Sequence, residues 1–325
     1  MLMRSQELSK NSSSSSIVQV HRKEAGPTVI DGQGAIRSVV LLVDGHHVVS
    51  GGDEGKIRRW RIEDGKEVGA PMDAGSPVFN IAVSRDGKVI VGGTKSGLVT
   101  VWNAESHSKV SEFQAHPRCV PAVDVSPDAT RIATGSDDHS ACVWSLSTRK
   151  RLLRPLKHNY ELAAVKFSPN GHLIATATWN RDSVRVYNSQ NGSLLVEFPV
   201  QVYSALNRSL SWATDSKELF VSSRDRHIHR VDVSTGTTLS QWYIPGRHDS
   251  TCITLASNGT LIAASVGPSV SFWDTTTQEQ IGSVVEYTHD IWSMAMSSNY
   301  ELVTSGRSEI ILRALCAYVV RYPDP

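Results

Sequence analysis

The sequence predicts an all-β chain made of seven similar units, each with four short antiparallel strands. The first observation is the spacing of large aromatic residues, because Trp60, Trp102, Trp144 and Tyr187 follow one another at intervals of 42, 42 and 43 residues. The second is that Gly, Asp, Asn and Pro turns separate short β-type segments, and no stretch of helical periodicity is long enough to rival them. A period of this length that fills the chain indicates a repeat architecture with one shared core.

Within a unit, the first two strands are joined by a hairpin that the sequence encodes. In Val83–Val91 and Phe167–Ala175 a strand enters a polar turn and a second strand leaves it. The pair Asp86-Gly87 supplies the positive φ that such a tight turn requires. A third strand ends at the Trp, and segments such as Arg151–Leu156 provide the fourth strand.

Composition describes an ordinary globular protein. The 325 residues are 40% hydrophobic and 20% charged, with a formal net charge of +1. The overall charge therefore does not attract the chain to nucleic acid or to an anionic membrane, but binding through a local charged patch is not excluded. The longest apolar runs, such as Ser38–Val43, are far shorter than the roughly 20 residues that span a bilayer. The scattered cysteines fit neither a disulfide framework nor a zinc site, and they favour a reducing compartment; they are Cys119, Cys142, Cys252 and Cys316.

The chain divides into a short N-terminal tail and one long folded region. Residues 1–16 end in a serine run with too little apolar surface to offset the entropy of ordering, so we expect a disordered tail. The same segment lacks the apolar stretch of a secretory signal. Residues 17–325 are expected to form one folded domain.

These features together resemble a known family. Four strands in each unit, a His shortly before the first strand and a Trp at the end of the third resemble the WD40-repeat β-propellers, over Ile17–Leu315. Segments such as Ser50–Trp60 resemble repeats of the divergent WD40 proteins that are numerous in fungi. The resemblance implies a single seven-bladed propeller whose N-terminal segment, here Ile17–Ile30, supplies the outer strand of the last blade and closes the ring.

The resemblance also implies a buried polar network in the third unit. His116, Thr134, Asp138 and Trp144 fall at the positions where the family places a chain of hydrogen bonds from carboxylate to imidazole, hydroxyl and indole. Other units keep only fragments, and we expect His158, His248 and His289 to be structural members of their own blades.

A search for chemistry yields little. His46-His47 and the pair His227 and His229 could donate to a metal, but no Asp, Glu or Cys cluster completes a set, so no metal or cofactor is predicted. No phosphate-binding glycine loop or hydrolase motif is present in the sequence, and the turn carboxylates belong to different units. We therefore expect a noncatalytic protein.

The candidate binding residues lie in the turns that the resemblance gathers on one face around the channel mouth. Arginines concentrate in units four to seven and acidic residues in units one and three, which predicts a basic crescent beside Trp179 and Trp292. The predicted partner-binding residues are Asp53, Lys95, Asp137, Tyr160, Trp179, Arg181, Arg224, Arg226, Arg247, Trp292 and Arg307. The alternative interpretation is that these are dispersed, solvated turn residues.

The leading hypothesis is a noncatalytic scaffold that binds proteins or peptides, acidic or phosphorylated ones among them, as a single ring within a larger complex. A substrate receptor of a ubiquitin ligase is an alternative, but Trp273-Asp274-Thr275-Thr276 lacks the Arg of that group's Trp-Asp-x-Arg box. An RNA-binding propeller is another, carried only by the arginine crescent. The expected location is the cytoplasm, with the nucleus as the alternative.

Overall fold

The structure of the chain is a computed structural model. The residues that it describes are 28–31, 34–179, 183–200, 202, 209–246, 251–256, 258–297, 301–306 and 309–314. The expected tail, residues 1–16, and most of the expected closing segment, residues 17–27, lie outside this part of the chain.

Seven sheets of four antiparallel strands form a ring, which confirms the predicted propeller. Blade 1 consists of β2 (Ile36–Leu41), β3 (His47–Gly52), β4 (Lys56–Arg61) and β5 (Met72–Asp73), and blade 2 of β6 (Val78–Val83), β7 (Val89–Thr94), β8 (Leu98–Asn103) and β9 (Lys109–Gln114). Blade 3 consists of β10 (Ala122–Val125), β11 (Arg131–Ser136), β12 (Ser140–Ser145) and β13 (Leu156–Lys157), and blade 4 of β14 (Leu162–Phe167), β15 (Leu173–Thr178), β16 (Val184–Asn188) and β17 (Leu194–Phe198). Blade 5 consists of β18 (Leu210–Trp212), β19 (Glu218–Ser222), β20 (His227–Asp232) and β21 (Thr238–Tyr243). Blade 6 consists of β22 (Thr251–Leu255), β23 (Leu261–Val266), β24 (Ser269–Asp274) and β25 (Gln280–Glu286), and blade 7 of β26 (Ser293–Met296), β27 (Glu301–Ser305), β28 (Glu309–Ala314) and β1 (Thr28–Asp31).

The ring closes through the first described strand. β1 pairs antiparallel with β28, so that Thr28 lies opposite Leu312 and Asp31 opposite Glu309. Blade 7 therefore combines strands from both ends of the described chain, and the third strand of that blade is not left as an open edge.

The outer strand of blade 3 is shorter than the sequence predicts. Instead of a continuous strand over Arg151–Leu156, Arg151 makes one isolated bridge to Trp144, and regular pairing resumes only in β13. Pro155 lies directly before β13, and its missing N–H and fixed φ oppose a regular ladder at this point. Blade 1 repeats the arrangement, with a bridge from Trp60 to Glu67 and the short strand β5.

Side-chain clamps join the inner strands of successive blades. The hydroxyl of Ser293 accepts the N–H of Val39 at 3.0 Å, and the hydroxyl of Ser38 accepts the N–H of Ile81 at 3.1 Å. Two more clamps continue the series, from the N–H of Val123 to Asn80 at 2.9 Å and from the N–H of Phe167 to Asp124 at 2.7 Å. The side chains come from blades 7, 1, 2 and 3 in turn, so blades 7 and 1 to 4 are linked by hydrogen bonds as well as by apolar packing.

The apolar core is distributed around the ring. Each large cluster of buried residues contains side chains from adjacent blades; one, for example, places Ile57 of blade 1 with Ile90 and Trp102 of blade 2. Such packing requires two neighbouring blades, so a blade cannot bury its faces alone.

Candidate functional site

We call the face that carries the turns after each second strand and the loops before each first strand the top face. Backbone hydrogen bonds hold the two kinds of segment together, with Asp53 N donating to Ala35 O at 2.9 Å and Lys95 N donating to Pro77 O at 2.8 Å. The same contact recurs in blade 3, from Asp137 N to the carbonyl oxygen of Cys119 at 3.0 Å. The top face is therefore a fixed frame that presents side chains from different blades.

A cluster of four residues lies on this face where blades 7, 1 and 2 meet. We call it the Arg37 cluster: Arg37, Asp53, Phe79 and Trp292. Two guanidinium nitrogens of Arg37 contact the two carboxylate oxygens of Asp53, one of them at 3.0 Å. The same guanidinium carbon lies 4.4 Å from the ring centre of Phe79 and 5.7 Å from that of Trp292. Such a planar cation between aromatic rings combines apolar area with directed hydrogen bonding, as protein-interface anchors do.

In the Arg37 cluster, Asp53 is paired with an arginine that was not among the predicted binding residues. The sequence placed Asp53 and Trp292 among the binding residues but missed Arg37, which is the residue that connects them. Its signal is a charged side chain inside a largely apolar first strand, directly after the buried Ile36.

A second group, on blades 3 and 4, is predominantly acidic. Burial raises the pKa of Asp137, the nearby charge of Glu161 raises it further, and Arg118 opposes the change. His139 Nε2 lies 3.8 Å from a carboxylate oxygen of Glu161. Burial, with the charge of Asp137, raises the pKa of the adjacent Cys119 thiol to about 12. This cysteine is therefore a poor nucleophile, since the reactive form is the thiolate.

The predicted basic crescent is represented by two arginines among the described residues. Arg224 is exposed, whereas Arg226 turns toward its own blade, where its guanidinium donates to the carbonyl oxygen of Gly246 and lies 5.2 Å from the ring centre of Tyr243. Arg226 also has a φ of 63°, which fixes its backbone in the left-handed region. The remaining members of the crescent, Arg181, Arg247 and Arg307, lie outside the described residues.

Four further predicted residues keep different degrees of exposure. Lys95 and Tyr160 are exposed, whereas Trp179 and Trp292 are half-buried. The backbone N–H of Trp179 donates to the carbonyl oxygen of Glu161 at 2.9 Å. The backbone N–H of Trp292 donates to the carbonyl oxygen of Ser305 at 2.7 Å. The backbones of both tryptophans are thus held by their own blades, and neither residue is fully buried.

In blade 3 the structure brings together the four residues of the polar network. His116 Nδ1 lies 2.8 Å from a carboxylate oxygen of Asp138, and His116 Nε2 lies 2.7 Å from the hydroxyl of Thr134. The indole N–H of Trp144 donates to the same hydroxyl at 2.9 Å. Although burial raises it, hydrogen bonds from His116 and Ser140 lower the pKa of Asp138 to about 2. The carboxylate is therefore ionised at neutral pH and fixes the orientation of the imidazole.

Other blades lack parts of this network. In blade 4, His158 Nε2 lies 3.4 Å from both the Thr176 and the Tyr187 hydroxyls, and its Nδ1 has no hydrogen-bond partner among the described residues. The expectation for His289 was wrong, because this histidine is exposed and its Nδ1 lies 2.8 Å from the hydroxyl of its neighbour Thr288. His248 lies outside the described residues.

Blade 5 has a different arrangement that the sequence pattern did not reveal. The hydroxyl of Ser223 donates to Asp225 and lies 3.0 Å from Nε2 of His229, an imidazole that comes from the third strand. Burial lowers the pKa of His229, with Asp225 opposing the change and His227 adding to it. In the parts of the chain that the structure covers, no group of three or more His, Cys, Asp or Glu residues could hold a metal ion.

One cavity lies in the central channel and opens on the face opposite the top face. Its volume is about 600 Å³, and its lining includes the turn residues Val43 and Arg85 together with Lys166 and Glu301. Lys166 Nζ lies 3.7 Å from a carboxylate oxygen of Asp124, the residue that clamps blade 4. The lining carries charges of both signs and no paired acid and base at hydrolytic spacing.

The comparison with protein families points in the same direction as the fold. The model described as "WD domain, G-beta repeat", of the family WD40, matches residues 27–61 and 107–145. These two matches and the seven-bladed ring support the WD40 family. No curated protein matches the chain significantly, and no relative supports the narrower likeness to fungal members.

Two properties of that family bear on the site. WD40 propellers typically act as protein-interaction scaffolds, and they are generally noncatalytic.

In the part of the chain that the structure describes, no helix is long and apolar enough to cross a bilayer.

Proposed function

We propose that this protein is a noncatalytic scaffold that binds partner proteins or peptides through its top face. The observation that carries the proposal is the Arg37 cluster, in which one guanidinium connects a half-exposed carboxylate with two aromatic rings from neighbouring blades. Aromatic and arginine side chains at the centre of a surface provide most of the binding free energy in protein interfaces.

The charges beside the cluster favour a partner with an acidic or phosphorylated segment. The side chain of Asp53 is 43% exposed and that of Arg37 is 26% exposed, so a stronger anion on the partner can replace Asp53 on the guanidinium. Lys95 and Arg118 are exposed on the same face. The ring acts as one subunit of a larger assembly. The scattered cysteines favour a reducing compartment, which supports the cytoplasm, with the nucleus as the alternative.

The test is affinity purification of the tagged full chain, with mass spectrometry to identify partners. We expect Arg37→Ala and Trp292→Ala each to weaken binding of the recovered partner by about 2 kcal/mol, or some 30-fold, because each removes an anchor of the cluster. Arg61→Ala is the matched control, since Arg61 is 47% exposed at the opposite end of the blade, where the third strand ends.

Thermal melting of each variant separates lost binding from lost folding. If both top-face variants keep full partner affinity while remaining folded, the cluster is not the binding site. Arg224→Glu tests the basic crescent in the same assay. Arg226 is left unchanged, because its contact with Gly246 makes its substitution a stability change as well.

A further inference from the structure

The outer edge of blade 3 carries a dense cationic segment that the top face does not include. Lys150, Arg151, Arg154 and Lys157 lie within eight consecutive residues, and all four are exposed. None of the four forms an ion pair with a carboxylate in the part of the chain that the structure describes. We call these four residues the blade 3 basic edge.

Blade 1 shows that this charge is not required by the fold. Its outer segment has the same bridge, the same proline and the same short strand, with Pro71 and β5 in the places of Pro155 and β13. At the positions of Arg151, Arg154 and Lys157, however, blade 1 has Glu67, Ala70 and Asp73. The same backbone therefore accommodates acidic and neutral residues at these positions.

Neighbouring carboxylates do not neutralise the basic edge. On the outer strand of blade 2, Glu112 is paired with Lys109 at 2.8 Å, and on that of blade 4, Glu197 is paired with Arg185 at 3.1 Å. Each of these carboxylates thus has a cation on its own or the adjacent strand. The edge between them keeps an uncompensated positive charge, which attracts anionic partners over about one Debye length.

Exposed aliphatic side chains accompany the cations. Leu152, in the middle of the basic edge, is 49% exposed. Val110 on blade 2 and Leu195 on blade 4 are 52% and 53% exposed, and each, like Leu152, directly follows the residue that pairs with the aromatic at the end of the third strand. Leu239 of blade 5 holds the same position and is 49% exposed, so four successive blades present an aliphatic side chain at this height, with the blade 3 cations around Leu152.

We propose that the blade 3 basic edge binds the surface of a bilayer that carries anionic headgroups, as a peripheral contact. The cations contact the headgroups while the aliphatic side chains enter the boundary with the acyl chains. The exposed leucine favours a lipid surface over nucleic acid, because a phosphate backbone offers no apolar area. None of residues 150–157 is aromatic, so the edge has no ring on which a base can stack. Pro155 opposes the addition of a peptide strand.

The experiment is flotation of the full chain with vesicles of phosphatidylcholine alone or mixed with phosphatidylserine. We expect binding only to the mixed vesicles, with affinity that falls as salt is raised. The triple variant Arg151→Glu/Arg154→Ala/Lys157→Asp places the blade 1 residues on blade 3, and its affinity should fall by about 100-fold or more. Leu152→Ser should weaken binding by about 3- to 10-fold without changing the salt dependence.

The matched control is Lys66→Glu/Arg61→Ala/Lys88→Glu, which removes the same amount of positive charge from exposed turns of blades 1 and 2. This variant should bind mixed vesicles nearly as well as the natural chain. Equal losses in both triple variants would mean that net charge, not the edge, drives binding. No flotation with mixed vesicles, or tighter and leucine-independent binding to RNA or duplex DNA, would overturn the proposal. The Arg37→Ala variant should still float, so this test is independent of the top face.

Discussion

Blades 3 and 4 bury an imidazole at the same place in the repeat, but the two imidazoles differ in their partners. His116 has partners at 2.8 and 2.7 Å on its two ring nitrogens. His158 has only hydroxyl contacts at 3.4 Å on one nitrogen, and no hydrogen-bond partner on the other among the described residues. Burial removes the hydration of both rings, which carries a free-energy penalty. Only blade 3 offsets this penalty with short hydrogen bonds. The repeat therefore sets where a polar group is buried, whereas the neighbouring residues set whether its burial stabilises the blade.

The largest effect should come from removing the paired imidazole. His116→Ala leaves a buried carboxylate and a buried hydroxyl without their partner, so we expect a loss of about 3 kcal/mol in the free energy of unfolding. His158→Ala leaves a cavity of similar size but breaks only two long hydrogen bonds, so it should cost about 1 to 2 kcal/mol less than His116→Ala. Denaturant unfolding of both variants measures the difference. Equal losses would show that packing, not hydrogen bonding, accounts for the contribution of His116.

A second contrast separates the tryptophans of blades 3 and 2. The indole N–H of Trp144 donates to Thr134, whereas that of Trp102 has no acceptor in the described structure, because Gly92 stands where blade 3 has Thr134. Trp144→Phe should therefore cost about 2 kcal/mol, and Trp102→Phe about 1 kcal/mol or less. A loss for Trp102→Phe as large as that for Trp144→Phe, in the same unfolding assay, would refute the role of the indole hydrogen bond.

The effect that is smallest at neutral pH is a dependence on pH, which grows as the solution becomes more acidic. Burial, together with the nearby Arg185 guanidinium, lowers the pKa of His158 from 6.5 to about 3. Between these values the unfolded chain binds a proton at this residue that the folded chain does not, so stability falls as the pH falls. The expected slope is about 1.4 kcal/mol for each pH unit.

His158→Gln should remove this slope, as measured by unfolding midpoints between pH 6 and pH 4. Asp138 acts in a lower range, because its stabilisation is present above its unfolded pKa and is lost as the pH falls toward about 2. A variant that keeps the full slope would show that other groups titrate in this window.

Much of the fold could be predicted from the sequence, because strands and hairpins depend on residues that are close together in the chain. The interval between Trp60, Trp102 and Trp144, and the turn at Asp86-Gly87, specify strands and hairpins through backbone chemistry. The outer strand of blade 3 was predicted less well. Arg151–Leu156 was assigned as a strand from its place in the repeat, but it contains Pro155, and the effect of Pro155 on pairing depends on the partner strand.

The candidate site was less accessible to sequence reasoning. Arg37 contacts Asp53 within its own blade, but Phe79 and Trp292 reach it from the two adjacent blades. The clamps from Ser38, Asn80 and Asp124 likewise act on the following blade. No local pattern predicts such contacts, because the partners are separated by about one repeat or, across the closure, by most of the chain.

The sequence by itself determined seven antiparallel blades and their turns, since these depend on residue types at fixed spacing within one unit, and its resemblance to WD40 repeats implied the polar network of blade 3. Only the tertiary structure decided which charges are paired and which remain available. Arg226 is engaged by its own blade, whereas the cations of the blade 3 basic edge face no carboxylate in the described structure. The physical reason is that the energy of a charged group depends on its three-dimensional surroundings, which the spacing of residues within a unit does not specify.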